Sequence, residues 1–306
     1  MDEGRSGGGG APVNESVWAL PARALRPFIA RYIGYRQAGG PPATHRGLPS
    51  PYLTVIFTLD DPLTLAGHPD PRQSPGSYRT LVGGLHTAPA LITHPGRQSG
   101  IQLAVSPLGA RALLGLPAGE LAGIDVEGCG VLGPLADRIA ERLQVAGDWP
   151  ARFAVLDRML TSRLAAGPPG GASCTADGVG AEVSHAWLLL LASGGRCTIS
   201  GLAAETGWSD RHLRNRFRNE TGLTPKAAAR VIRFDRARRL LQQRAAAADM
   251  TLPALADLAA DCGYYDQAHL AREFGDLAGC PPSAWLAEEF RNVQGWTGAV
   301  LAGLAS

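Results

Sequence analysis

The sequence predicts an α+β protein, with a small β-sandwich or barrel in its N-terminal part and an all-α domain in its C-terminal part. Three observations lead to this fold class. Short runs rich in β-branched and aromatic residues, separated by Gly and Pro, occupy much of the first third of the chain. Apolar residues at helical spacing follow them, and a helix-turn-helix pattern then occurs twice near the C-terminus.

Four β-rich runs define the predicted N-terminal domain, residues 17–166. They cover residues 52–59, 79–82, 91–94 and 100–105. A helix is expected at 106–114, and a helical hairpin at 132–144 and 149–164. Short strands followed by a helical pair indicate a cupin-like sandwich or barrel that leads into a dimerisation hairpin.

Composition sets the remaining boundaries. Residues 1–16 are polar and rich in glycine, so they are predicted to be disordered. Residues 167–180 are rich in Gly and contain two prolines, and they are predicted to form a linker. The C-terminal helical domain is placed at 181–290 and a tail at 291–306.

The helix-turn-helix pattern is a duplication in which the two copies lie about 57 residues apart. The first copy comprises Leu202, Ala203, Gly207, Leu213, Phe217, Gly222 and Pro225. The second comprises Leu258, Ala259, Gly263, Leu270, Phe274, Gly279 and Pro282. The spacings agree except for one extra residue after the turn glycine of the second copy. Each copy therefore predicts a helix, a tight turn and a presented second helix.

Residue chemistry supports each part of this unit. Gly207 and Gly263 are expected to end the first helix with positive φ. Ser209 and Asp266 are good N-caps for the presented helix. Between the copies, residues 224–243 contain no glycine and carry an apolar stripe, which predicts one long connecting helix.

These residues resemble the AraC/XylS family of bacterial transcriptional regulators. The resemblance covers about 105 residues, 183–287, and rests on Ser209-x-x-His212-Leu213, Gly222-x-x-Pro225, Arg233-x-x-x-Ala237, Gly263-Tyr264-x-Asp266 and Gly279-x-Pro281-Pro282. It implies a seven-helix domain that inserts two recognition helices into adjacent major grooves of duplex operator DNA. It also implies RNA polymerase as a partner. The alternative is a helical bundle without a nucleic-acid role.

Helical geometry and the resemblance together nominate the DNA contacts. If Leu213 and Phe217 face the core, the outward side chains are expected to read bases or bind phosphates. The candidate base readers are Arg211, Arg214, Asn215, Gln267 and Arg272, and the candidate phosphate contacts are Arg218 and Lys226. The first three match positions that contact bases in similar proteins. His212 and His269 are interpreted as structural.

Charge is unevenly distributed, although the formal net charge is only +2. Eleven basic and two acidic residues lie between Arg211 and Arg244, whereas Arg272 faces eight acids from Ala245 to Phe290. The basic run predicts a phosphate-binding surface that includes the presented helix and the connecting helix.

The N-terminal domain is less informative. Stretches at 45–50, 82–86 and 106–111 resemble the N-terminal domain of some actinobacterial-type regulators of this class. An effector pocket is expected at Tyr52, Phe57 and Tyr78, and a homodimer is expected through the helical hairpin. A constitutive DNA-binding module with a ligand-free assembly platform is the alternative.

Other functions are disfavoured by the sequence. His45, His86 and His94 lack the paired spacing and nearby carboxylates of a metal cupin, so neither a metal site nor any other cofactor is expected. No triad or phosphate loop indicates an enzyme. The sequence has no apolar run of 18 residues or more and no hydrophobic signal region, so a cytoplasmic protein without a membrane span is expected.

Overall fold

A computed structural model of the chain describes residues 13–167, 179–247 and 254–292. Most of the predicted disordered segment 1–16, linker 167–180 and tail 291–306 lies outside the described residues. The prediction of disorder is wrong for residues 13–16, because they belong to strand β1 (Val13–Ala19). The last helix also continues to Asn292, two residues into the predicted tail.

The N-terminal part is a sandwich of two antiparallel sheets, so the predicted α+β class is confirmed. The remaining strands are β2 (Ile29–Ala38), β3 (Ala43–Gly47), β4 (Leu53–Thr58), β5 (Leu63–Gly67), β6 (Gly76–Tyr78), β7 (Thr80–Gly83), β8 (Ala90–His94), β9 (Gln98–Val105) and β10 (Asp125–Glu127). The larger sheet has the order β1-β2-β9-β4-β7-β10, and the smaller sheet has the order β3-β8-β5-β6.

Strand alternation divides the N-terminal interior into two cores. In β4, Val55 and Phe57 belong to a large core that also contains helical residues. Ile56, on the opposite face of the same strand, joins a small core between the two sheets. The larger sheet is therefore buried on both faces, by the smaller sheet on one side and by helices on the other.

The helices after the sandwich begin with two short ones, α1 (Ala110–Leu114) and α2 (Cys129–Leu132). The predicted hairpin follows as α3 (Pro134–Val145) and α4 (Trp149–Ala166). Asp157 of α4 accepts hydrogen bonds from the Tyr32 hydroxyl (3.1 Å) and the Ala22 amide (2.8 Å). These bonds hold α4 against the larger sheet.

Residues 13–16 are ordered by contacts with two other parts of the N-terminal fold. Strand β1 pairs with β2 over its whole length, from Val13 opposite Ala38 to Ala19 opposite Tyr32. In addition, the indole Nε1 of Trp149 donates to Glu15 Oε1 at 2.7 Å. Composition alone did not reveal these partners because both are distant in sequence.

The C-terminal part consists of seven helices in the described residues. They are α5 (Ala181–Ala192), α6 (Ile199–Thr206), α7 (Asp210–Thr221), α8 (Pro225–Ala247), α9 (Leu255–Cys262), α10 (Gln267–Ala278) and α11 (Pro282–Asn292). The predicted connecting helix is α8, which extends four residues beyond position 243. Helices α6–α7 and α9–α10 form the two helix-turn-helix units.

The two parts of the chain touch at the C-terminal end of α7. Arg111 of α1 donates to both carboxylate oxygens of Glu220, at 2.9 and 2.8 Å. Gly119 lies so close to α7 that an added Cβ would sit 2.1 Å from the Asn219 carbonyl oxygen. A second contact joins β3 to α11, where Arg46 forms an ion pair with Glu288. The large apolar core is contiguous across both parts.

Candidate nucleic-acid interface

The two helix-turn-helix units have the same local geometry. Gly207 and Gly263 end their helices with φ of 68° and 76°, in the left-handed region that favours glycine. The Ser209 side chain accepts a hydrogen bond from the His212 amide, and the Asp266 side chain accepts one from the His269 amide. The predicted turn glycines and N-caps are thus present in both units.

Each unit also contains the same aromatic contact under its turn. The ring of Trp208 meets the His212 ring edge-on, with centroids 4.7 Å apart. The ring of Tyr264 meets the His269 ring in the same way at 5.2 Å. These contacts agree with a structural role for the two histidines, because each ring packs against the turn of its own unit.

Helix α7 presents the predicted readers to solvent. Leu213 and Phe217 are fully buried. The outward-facing residues Arg211, Arg214, Asn215 and Arg218 are all exposed. Within the described residues none of these three arginines takes part in an ion pair. Their guanidinium groups therefore remain available to a ligand.

Lys226, at the start of α8, is exposed as well. Arg218 also lines an open cleft of about 580 Å³ between α7 and the N-terminal part, together with Arg216 and Glu120. Its guanidinium therefore lies farther towards the N-terminal sandwich than those of Arg211 and Arg214. This position suits a contact with the DNA backbone better than one with bases.

Helix α10 presents a weaker surface. Leu270 and Phe274 are fully buried, while Gln267 and Arg272 are exposed. Ala268, also exposed, can offer only a methyl group. Tyr265, just before the helix, is 93% exposed and was not among the predicted site residues. The sequence indicated this position only through the one extra residue that the second copy has after its turn glycine.

The prediction that the connecting helix contributes a phosphate-binding surface is largely wrong. Arg230 and Arg233 of α8 are both ion-paired with the buried Glu273 of α10. Arg238 and Arg239 are ion-paired with the buried Asp235. The first two arginines join α8 to α10, whereas the pairs of Asp235 lie within α8, so four arginines of the helix already have carboxylate partners.

Electrostatics explains why these pairs are tight. Burial would raise the pKa of Asp235, but the attraction of Arg239 and Arg238 outweighs it and lowers that pKa. Arg31 of β2 lies close to the same group, and its pKa falls to about 10 because of burial and the nearby charge of Arg239. The charges of α8 therefore act on a buried arginine of the N-terminal sandwich.

The structure does not bring the predicted effector residues Tyr52, Phe57 and Tyr78 into one pocket. Phe57 points into the large core, as strand alternation requires. Tyr78 packs on the small core and its hydroxyl contacts His68 Nε2 at 3.3 Å. Tyr52 lies under the guanidinium of Arg31, 5.4 Å from the ring centroid. The three side chains occupy three different environments.

A different cavity lies between the ends of the two sheets. Its volume is about 260 Å³, and its lining includes Tyr35, Thr58, Asp60, Ser77 and His94. Burial is the main reason why the pKa of Asp60 is raised, and Asp60 accepts a hydrogen bond from the Ser99 amide at 2.9 Å. This polar cavity is large enough for a small molecule.

The histidines weighed as metal ligands do not converge. The rings of His45 and His94 lie 5.8 Å apart, but His86 instead bonds the Ala88 carbonyl oxygen through Nδ1 at 2.5 Å. No three His, Cys, Asp or Glu side chains are grouped as a metal site in the described residues. In the same residues, no helix has the length and apolarity needed to cross a bilayer.

Two family models match the chain. A helix-turn-helix domain matches residues 202–288, which span both units. A domain of unknown function (DUF6597) matches residues 19–127, most of the sandwich. No curated protein is significantly similar to the chain.

Several solved structures are similar. One is a probable AraC family transcriptional regulator from Rhodopseudomonas palustris, with 31% identity over 35% of this chain and 94% of that chain, and a TM-score of 0.30. ToxT from Vibrio cholerae is 9% identical over 84% of this chain and 97% of its own, with a TM-score of 0.46. ToxT from Vibrio cholerae with bound unsaturated fatty acid is 10% identical over 81% and 91%, also with a TM-score of 0.46.

Proposed function

The chain belongs to the AraC family of transcriptional regulators, and on that premise we propose that it reads a specific operator with α7 and α10 in adjacent major grooves. One observation carries this proposal. Arg211, Arg214 and Asn215 project from one exposed face of α7, while the core residues of that helix are fully buried. Arginine can bond guanine and asparagine can bond adenine in the major groove.

The length of α8 supports the use of two grooves. It has 23 residues, and at about 1.5 Å per residue it is about 35 Å long. Successive major grooves on one side of DNA lie about 34 Å apart. A rod of this length can hold two presented helices one helical turn of DNA apart.

The exposed charges suggest which residues would contact phosphates and which would contact bases. Arg218 and Lys226 would contact phosphates beside α7, and Gln267 and Arg272 would read bases from α10. Because the arginines of α8 from Arg230 onward are mostly ion-paired, the electrostatic attraction to DNA comes chiefly from α7. The first unit would then supply most of the affinity.

For the N-terminal sandwich, we propose that it senses a small polar effector. The cavity beside Asp60 supports this, because its lining combines hydroxyl groups, a carboxylate and a histidine. A ligand-free assembly platform is the second candidate. If the sandwich is such a platform, Asp60→Asn should leave transcription from the operator unchanged under every growth condition.

The remaining partners are also proposals. We expect a homodimer in the cytoplasm that acts on RNA polymerase, as in the family. The dimer contact cannot use the apolar stripes of the hairpin, because Ile139, Leu143 and Leu156 are buried within the protomer. It would have to use the outer faces of α3 and α4, and Val145, 86% exposed, lies there.

The experiment that tests the function is selection of operators from random duplex DNA by the full-length protein. The selected DNA should show two protected half-sites one helical turn apart, and affinity should fall steeply with salt through counterion release. Failure to enrich any sequence, together with binding that is insensitive to salt, would refute the proposal.

A further inference from the structure

The two helix-turn-helix units differ by one residue, and the structure identifies it as Tyr265. Trp208 and Tyr264 are equivalent, because each follows the turn glycine and each packs edge-on against the histidine of its unit. Ser209 and Asp266 are equivalent as N-caps. In the first unit Trp208 is followed directly by the cap, whereas in the second unit Tyr265 lies between them.

Tyr265 has no structural role that would explain an aromatic ring. Its side chain is 93% exposed, the largest exposure among the large hydrophobic side chains of the described residues. The core beneath it is already closed by Tyr264, whose exposed fraction is 5%. A ring that covers no part of the core is free to meet another molecule.

The backbone under this ring is nevertheless fixed. The Tyr265 amide donates to Nδ1 of His269 at 3.3 Å. On one side the Tyr264 amide bonds the Ala259 carbonyl oxygen at 2.9 Å, and on the other the Asp266 carboxylate caps α10. The backbone at Tyr265 is thus held in a defined position, which lowers the entropic cost of binding through this residue.

Its position points to DNA. Tyr265 lies one residue before the N-cap of α10, and the N-terminal residues of a recognition helix are those that approach the bases. A tyrosine at the groove edge offers an apolar ring and a hydroxyl donor. We propose that Tyr265 contacts the second half-site, with its ring against a sugar or thymine methyl and its hydroxyl bonded to a phosphate.

This contact would suit the second unit because that unit has little positive charge. Arg272 is exposed, but the same unit also exposes three aspartates, Asp257, Asp261 and Asp266. A neutral side chain binds next to a phosphate without releasing a counterion, so it adds affinity that salt does not remove. The inference rests on the proposed function, because it assumes that α10 enters a groove.

The test uses the full chain on an operator selected with the wild-type protein. Tyr265→Ala should weaken binding roughly tenfold, about the worth of one good hydrogen bond to a charged group. The slope of affinity against salt should stay the same. Lys226→Ala, at a proposed phosphate contact, should instead reduce that slope by about 1. Tyr265→Phe should lie between wild type and Tyr265→Ala, because it keeps the ring and loses the hydroxyl.

The matched control is Leu188→Ala on α5, whose side chain is 57% exposed in the same domain. It should bind as the wild type does, and the melting temperature of every variant should be unchanged. Wild-type affinity and footprint in Tyr265→Ala would overturn the inference, even if transcription in vitro were lost. Failure of the wild type itself to bind a selected operator would instead refute the proposed function.

Discussion

The guanidinium of Arg111, in the N-terminal part, is bidentate with the carboxylate of Glu220, the penultimate residue of α7. Glu220 is buried, with only 9% of its surface exposed. One residue of the N-terminal part therefore neutralises a buried charge on the helix that carries the proposed base readers. This ion pair makes the position of α7 depend on the N-terminal part.

Arg111→Ala should lower the free energy of unfolding by about 1–3 kcal/mol, because it leaves a buried carboxylate without its partner. Urea denaturation of the full-length protein measures this. Glu220→Gln is the control, since an uncharged amide tolerates the loss of Arg111. If Arg111→Ala were equally costly in the Glu220→Gln background, the ion pair would not be the cause.

Arg211→Ala and Arg214→Ala should each lose about 1–3 kcal/mol of binding free energy on the selected operator and relax base preference at one position. Arg218→Ala should weaken binding to all sequences about equally, because a phosphate contact carries no base information. Fluorescence anisotropy on a panel of operator variants separates the two effects. Identical profiles for all three variants would contradict the assignment of readers and phosphate contacts.

Arg272→Ala should cost less affinity than Arg214→Ala and should leave the first half-site protected. The reason is that the second unit has fewer free positive charges and should therefore contribute less to the binding free energy. Footprinting of both variants at equal occupancy is the measurement. Loss of all protection in Arg272→Ala, together with a mild Arg214→Ala, would make the second unit the dominant reader.

Asp235→Asn should destabilise the protein at neutral pH by about 2–4 kcal/mol, because Arg238 and Arg239 lose a buried counter-charge. The folded pKa of Asp235 is lowered, so its stabilisation is complete above the unfolded pKa of about 3.9. It is lost as the pH falls through the folded pKa. Urea titrations from pH 7 down to pH 3 should therefore show the wild type and variant converging, and a constant difference would contradict this.

His45 should make the protein sensitive to mild acid. Burial, together with repulsion from His94, lowers its folded pKa to about 4, whereas the unfolded pKa is about 6.5. The unfolded state then takes up the proton first, so the free energy of unfolding should decline as the pH falls from about 6.5 to about 4. In His45→Gln that decline should be smaller, and an unchanged pH profile would exclude His45 as its origin.

The sequence predicted the C-terminal domain well because its signals are local. A turn glycine, a cap and two core residues spaced four apart fix each unit, and the duplication presents the pattern twice. The exposed face of α7 follows from the same spacing. In the structure, Arg211, Arg214 and Asn215 lie together on that exposed face.

The sequence failed where partners are distant along the chain. Glu220 gives no local sign of its bond to Arg111, and the arginines of α8 give no sign of Glu273. Strand β2 was missed because IARYIGYRQA lacks the alternation of a half-buried strand. The prediction of the effector pocket was wrong because the sequence does not reveal which face of which sheet each of the three aromatic residues occupies.

The contiguous core described for the two parts of the chain has a consequence for cooperativity. Residues from the N-terminal part, such as Leu113, and from the C-terminal helical domain, such as Phe217, belong to one apolar cluster. Unfolding by heat should then occur as a single transition instead of two. Destabilising substitutions in the core of the N-terminal part should unfold the C-terminal helical domain as well, so a genetic screen for loss of the proposed regulation should recover positions in both parts.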